Sequence, residues 1–167
     1  MICCFALGQS VFPMKSEVEK AIWLTISQKI TQDHPGCEYG RCGEWWAANN
    51  DSLFYRSDTV KFYNSSNIAD TDPAFCNSIV WVFKNTNSFF LRKAQRCQEP
   101  PTISVNVNGR NAEETESFLL ISQNDATYIV INEERLDRIK YKVIGLVKFN
   151  QKDAGTGTFC ITLAREK

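Results

Sequence analysis

The sequence is poor in the groups that most enzymes and metal proteins use. Its 167 residues include a single histidine, His34, and two methionines, and no Cys-x-x-Cys pair occurs. A zinc site of ordinary composition is therefore not expected. Charge of one sign is also missing: nineteen Lys and Arg balance nineteen Asp and Glu. Without a basic stripe or a run of like charge, there is no nucleic-acid or anionic-membrane footprint. The longest unbroken apolar run is about six residues, roughly a third of a bilayer span, so no transmembrane helix is expected. There is no Gly-x-Ser-x-Gly elbow and no dinucleotide or Walker-type glycine loop. Gly155-Thr156-Gly157 joins two expected strands and opens no helix, so it is no phosphate loop.

What is present describes one folded domain. Hydrophobic residues make up 43% and aromatics 12%, with eleven Phe, while charged residues are 23%. That balance argues against disorder, and the length suits one core. Residues 1–10 hold a short uncharged apolar run from Ile2 to Leu7, with the small residues Ala6 and Gly8 two apart as a signal-peptidase site prefers. They read as the remnant of a secretory signal, with 11–167 as the single domain. Downstream lie Cys37, Cys42, Cys76, Cys97 and Cys160, enough for two bridges and one leftover, with the pairing open. Asn50-Asp51-Ser52 and Asn64-Ser65-Ser66 are glycosylation sequons. Together these features predict a secreted, extracellular protein.

Ser16 to Thr31 carries two signals. Ser16 and Glu19 have the spacing of a capping box, and Val18, Ile22, Ile26 and Ile30 recur every four residues. Ile22, Leu24 and Ile26 also alternate with polar or exposed-type residues, and β-branched side chains favour a strand. A helix over 16–21 followed by a strand over 22–30, or a longer helix, both fit. From residue 43 the pattern is β, with candidate strands at 43–48, 53–63, 78–84, 88–95, 102–108, 116–123, 126–132, 140–149 and 157–164. Ile103, Val105 and Val107 alternate with polar neighbours, as do Tyr141, Val143, Val147 and Phe149. Asn108-Gly109 and Asn124-Asp125 mark hairpin turns.

Eight or nine short-linked strands must close or pack in pairs to hide their edges. The expected fold is mainly β: an antiparallel up-and-down barrel of about eight strands preceded by an N-terminal helix. A β-sandwich, or one helix on a curved sheet, is the alternative. Ile79 to Phe83 and Phe118 to Ile121 are apolar on both faces, so something must cover the outer side. For catalysis the candidates are weak. His34 sits before Pro35-Gly36, and Cys42, eight residues on, is better explained as a disulfide partner. Glu113, Glu114, Glu116, Glu133 and Glu134 read as solvated loop acids. No catalytic residue and no cofactor is expected.

Aromatics on nearly every strand favour binding. An eight-stranded barrel is just wide enough to be filled by side chains or to hold one small ligand. The expected lining is Phe62, Trp81, Phe83, Phe90, Val105, Ile129, Tyr141 and Val143, and the expected ligand is a small hydrophobic molecule or a biogenic amine resting on an aromatic face. The alternative is a secreted interaction or inhibitor module that meets a protein partner through the Asn64–Asp72 and Asn111–Glu116 loops.

Gly43-Glu44-Trp45, at the start of the β region, resembles the Gly-x-Trp motif opening the first strand of the lipocalins, in the calycin superfamily. Trp46 matches the aromatic that often follows. The resemblance implies a secreted eight-stranded barrel carrying a small hydrophobic molecule. It implies structural roles for Gly43, Trp45 and Arg165, with Trp45 at the closed end of the barrel against an arginine from the end of the chain, the place expected for Arg165. In length, secretion, cysteine richness and a helix running into the first strand, the chain is similar to the salivary lipocalins of blood-feeding arthropods.

Overall fold

The computed structural model describes residues 12–30, 43–64, 72–97, 102–104, 115–132, 138–149 and 158–166. The ambiguous N-terminal segment is one continuous helix, α1, Lys15–Ile30. Val18, Ala21, Ile22 and Thr25 are buried on one side of it. Their three- and four-residue spacing is the helical period, and it overrides the short alternation of Ile22, Leu24 and Ile26. The start differs from the capping box expected at Ser16 and Glu19. Glu17 Oε2 accepts the Met14 backbone N–H at 2.8 Å, which satisfies an orphan donor one turn earlier.

Among the described residues nine strands follow: β1 (Glu44–Ala48), β2 (Thr59–Tyr63), β3 (Asn77–Asn85), β4 (Ser88–Gln95), β5 (Thr102–Ser104), β6 (Glu116–Gln123), β7 (Ala126–Ile131), β8 (Ile139–Phe149) and β9 (Thr158–Arg165). The expected strand at 53–63 begins only at Thr59. A 3-10 turn over Asn50–Ser52 and a four-residue helix, α2 (Leu53–Arg56), take its first half. Asp51 and Ser52 both hold positive φ, 52° and 61°, and so turn the chain sharply before α2.

The sheet order is β3-β1-β2-β9-β8-β7-β6-β4-β5, with β3 also paired to β4. Every pairing is antiparallel. Eight strands thus close into a barrel, as expected, and closure removes the free edges that an open sheet would expose. One connection leaves the up-and-down path, because β1 lies between β2 and β3. On the edge of β4 away from β3, β6 pairs with Ser88 and Phe89 while β5 pairs with Lys93 to Gln95. Between β6 and β7, Asn124 and Asp125 both have positive φ, the requirement of a tight two-residue hairpin turn.

Alternation along the strands divides the side chains into two clusters. Inside are Trp45, Phe62, Trp81, Phe83, Phe89, Phe118, Ile129, Tyr141, Val143, Ile161 and Leu163, among others, packed with Val18, Ala21 and Ile22 of α1. Outside, Trp46, Val80, Val82 and Ala94 form a second cluster with Phe75, which stands on a 3-10 turn, Pro73–Phe75. This cluster explains why Ile79 to Val82 is apolar on both faces. The helix does not cover that wall. It packs across one end of the barrel instead, against β3, β6 and β7.

Candidate functional site

The two barrel ends are built differently. At the helix end, the Thr25 hydroxyl donates to Ala21 O (2.9 Å) and accepts from Trp45 Nε1 (2.9 Å) and Asn64 Nδ2 (3.3 Å). One hydroxyl has one proton and two lone pairs, so its whole capacity is used. Asn64 Oδ1 in turn accepts from the Phe159 N–H. This node fastens α1 to β1, to the end of β2 and to the start of β9. Gly43, with φ of 82°, takes a backbone form that glycine adopts freely, and its carbonyl accepts the Phe83 N–H at 3.0 Å. Gly43 and Trp45 are both tied into the fold by these bonds.

Arg165 is tied into the fold as well, but it lies at the opposite end from Trp45. The β2–β9 ladder puts Ala164 beside Thr59, while Cys160 pairs with Tyr63 at the helix end. Arg165 donates to Tyr55 O (2.8 Å), Phe54 O (3.1 Å) and Tyr141 Oη (3.4 Å). Its guanidinium also lies over the Phe54 and Tyr141 rings. The pairing of Trp45 with Arg165 is therefore not formed: α1 occupies the space over Trp45, and Arg165 latches α2 over the other mouth. Burial pushes the Tyr141 hydroxyl above its ordinary range, against the opposing pull of the bond to Arg165.

Between these ends the interior holds a continuous chain of rings. Trp45 meets Phe83 at 5.5 Å, Phe83 meets Phe89 at 6.0 Å, and Phe89 meets Trp81 at 4.8 Å. Trp81 meets Phe62 at 4.2 Å, and Phe62 meets Phe54 of α2 at 5.8 Å. Phe118 and Tyr141 branch from it. Of the expected lining, Phe62, Trp81, Phe83, Ile129, Tyr141 and Val143 are brought together here as packed core. Phe90 is not among them. It packs on the outer cluster while Phe89 faces inward, a one-residue difference that inverts a strand's faces. Val105 lies outside the described residues, as do Cys37, Cys42, His34, the segment 1–10 and most of both loops proposed for a protein partner.

A ligand-sized, largely apolar space lies beside the helix. A cleft of about 490 Å³ runs between α1, β6 and the β3–β4 turn. Ile22, Phe118 and Leu120 form a buried floor, and Trp23 and Leu119 are its exposed walls, at 57% and 45%. Lys15, Glu19, Lys20, Thr86 and Asn87 complete it. A concave, largely apolar site with a few polar groups is the usual form of a small-molecule pocket. The sequence signal for it was Trp23, a large aromatic off the Val18–Ile22 stripe. Leu119 and Leu120 gave no such signal, since they read as ordinary strand residues.

Compared with known protein families, curated proteins and solved structures, the chain matches none. Cys76 and Cys97 form a disulfide that clamps the open end of the β3–β4 hairpin. Cys160 is buried without a bridge, so it drops from the disulfide candidates. It lies beside Tyr63, and burial, with Cys160 as neighbour, pushes the Tyr63 hydroxyl up to about 12. Both sequon asparagines have engaged side chains. Asn50 Nδ2 donates to Pro73 O and its Oδ1 accepts from the Asn77 N–H, while Asn64 belongs to the helix node. Among the described residues no three His, Cys, Asp or Glu side chains gather as a metal site, and no helix is long and apolar enough to cross a membrane.

Proposed function

We propose that this protein is a secreted, non-catalytic binding protein that carries or sequesters a small, largely apolar molecule, and that the helix–barrel cleft holds it. The carrying observation is the cleft itself: about 490 Å³, with a buried floor of Ile22, Phe118 and Leu120 beneath the exposed Trp23 and Leu119. The barrel axis is a poorer place, since rings in mutual contact run along it from Trp45 to Phe54. A ligand there must displace buried aromatics, each contributing roughly 1.5–3 kcal/mol through burial. A ligand in the cleft covers apolar surface that now faces water. The Cys76–Cys97 disulfide supports an oxidising, extracellular setting.

A lipocalin-like origin remains part of this proposal. Its support is Gly43-Glu44-Trp45 at the first strand of a closed eight-stranded barrel, with a helix over that end. The position of Arg165 and the placement of β1 between β2 and β3 depart from what that resemblance implies.

Fluorescence tests the site. Trp45, Trp46 and Trp81 are buried, so Trp23 is the one water-facing indole of the four. Apolar ligands at micromolar concentration should blue-shift the emission and protect Trp23 from iodide quenching. Trp23→Phe should abolish the signal, and native mass spectrometry should show one bound mass. Ligand uptake that leaves Trp23 fully quenchable would move the site elsewhere.

A further inference from the structure

We propose that the cleft selects an anionic amphiphile, an alkyl or aryl-alkyl carboxylate whose chain lies against Trp23 and Leu119 and whose carboxylate meets Lys20. This rests on the cleft being the ligand site. Charge complementarity sets the preference. Lys15 and Glu19 are paired at 3.6 Å on successive turns of α1, so their charges meet each other. Two lysines less one glutamate leave a net charge of +1 on the cleft lining, and Lys20 carries it. Lys20 makes no ion pair among the described residues and stands one helical turn before Trp23. Lys20 lines the cleft beside the apolar wall, where a bound chain would lower the local water content.

A carboxylate seated there gains an ion pair, and the chain covers the exposed indole and Leu119. An amine in the same pose meets a like charge, with Glu19 already occupied by Lys15. The cleft therefore disfavours the amine class that aromatic walls alone would admit. A cleft of about 490 Å³ is within the usual range for a single small molecule.

The test uses dodecanoate and dodecylamine, both below their micellar concentrations, titrated against Trp23 emission at pH 7. Dodecanoate should bind about fivefold tighter than dodecylamine at low salt, with the gap narrowing as salt screens the pair. Lys20→Glu, at an exposed position, should reverse the order while circular dichroism stays unchanged. Equal affinities, tighter amine binding, or an order unaffected by Lys20→Glu would overturn the carboxylate assignment while leaving the cleft as the site. Failure of both amphiphiles to move Trp23 emission would instead overturn the cleft reading itself.

Discussion

Replacing Thr25 by valine keeps the shape of a buried side chain and removes one oxygen. That oxygen serves three partners: Ala21 O, Trp45 Nε1 and Asn64 Nδ2. Ala21 O keeps its place in the helical ladder, so its loss costs little. Trp45 is buried, and its indole N–H would have no replacement partner, a penalty of about 2 kcal/mol. Asn64 is half-buried, and water can take up part of its demand, adding about 1 kcal/mol. The new methyl group returns about 0.8 kcal/mol through burial. The net expectation is a destabilisation of about 2 kcal/mol, roughly a 4–8 °C fall in melting temperature for a chain this long. Equilibrium urea unfolding with the disulfide intact reads it directly. Thr25→Ser keeps the oxygen and should cost less than Thr25→Val. A double-mutant cycle with Trp45→Phe should show that the two positions are coupled. A Thr25→Val protein within about 0.5 kcal/mol of the parent, or less damaged than Thr25→Ser, would refute the node as the helix anchor.

Tyr63 and Tyr141 have raised folded-state pKa values, Tyr63 to about 12, so the folded state holds protons that the unfolded chain releases near 10. Stability should be level below pH 10 with respect to these groups and fall between pH 10 and 12. Absorbance at 295 nm during alkaline titration should show a late phase coincident with unfolding. Trp45→Ala should cost about 3–5 kcal/mol in urea unfolding, since the ring is buried and its N–H is bonded.

Much of the barrel is readable from local chemistry. Asn124-Asp125 announces the β6–β7 hairpin because short polar residues tolerate positive φ. Val60 and Phe62, alternating with Thr59 and Lys61, specify which face of β2 turns inward. Six of the eight residues expected to line a cavity do share the interior. The same reasoning failed at Phe89-Phe90, where two identical side chains on one strand carry no information about which points in. It also failed at 53–58, where aromatic and apolar residues suited to a strand form a helical turn instead. That turn is held by contacts distant in sequence, from Arg165 to the carbonyls of Phe54 and Tyr55.

Most strand positions, the β class and a helix ahead of the strands follow from the amino-acid pattern alone, because these depend on periodicity over a few residues. Where the helix docks, what fills the barrel and where a ligand-sized cleft opens were decided only by tertiary structure. Thr25 and Asn64 are 39 residues apart and Tyr55 and Arg165 are 110 apart. Whether such groups meet depends on strand order and register around the closed ring. Hydropathy cannot distinguish an interior ring that lines a cavity from one that fills it. That outcome depends on the size and direction of every neighbour at once, and in this barrel the rings meet each other.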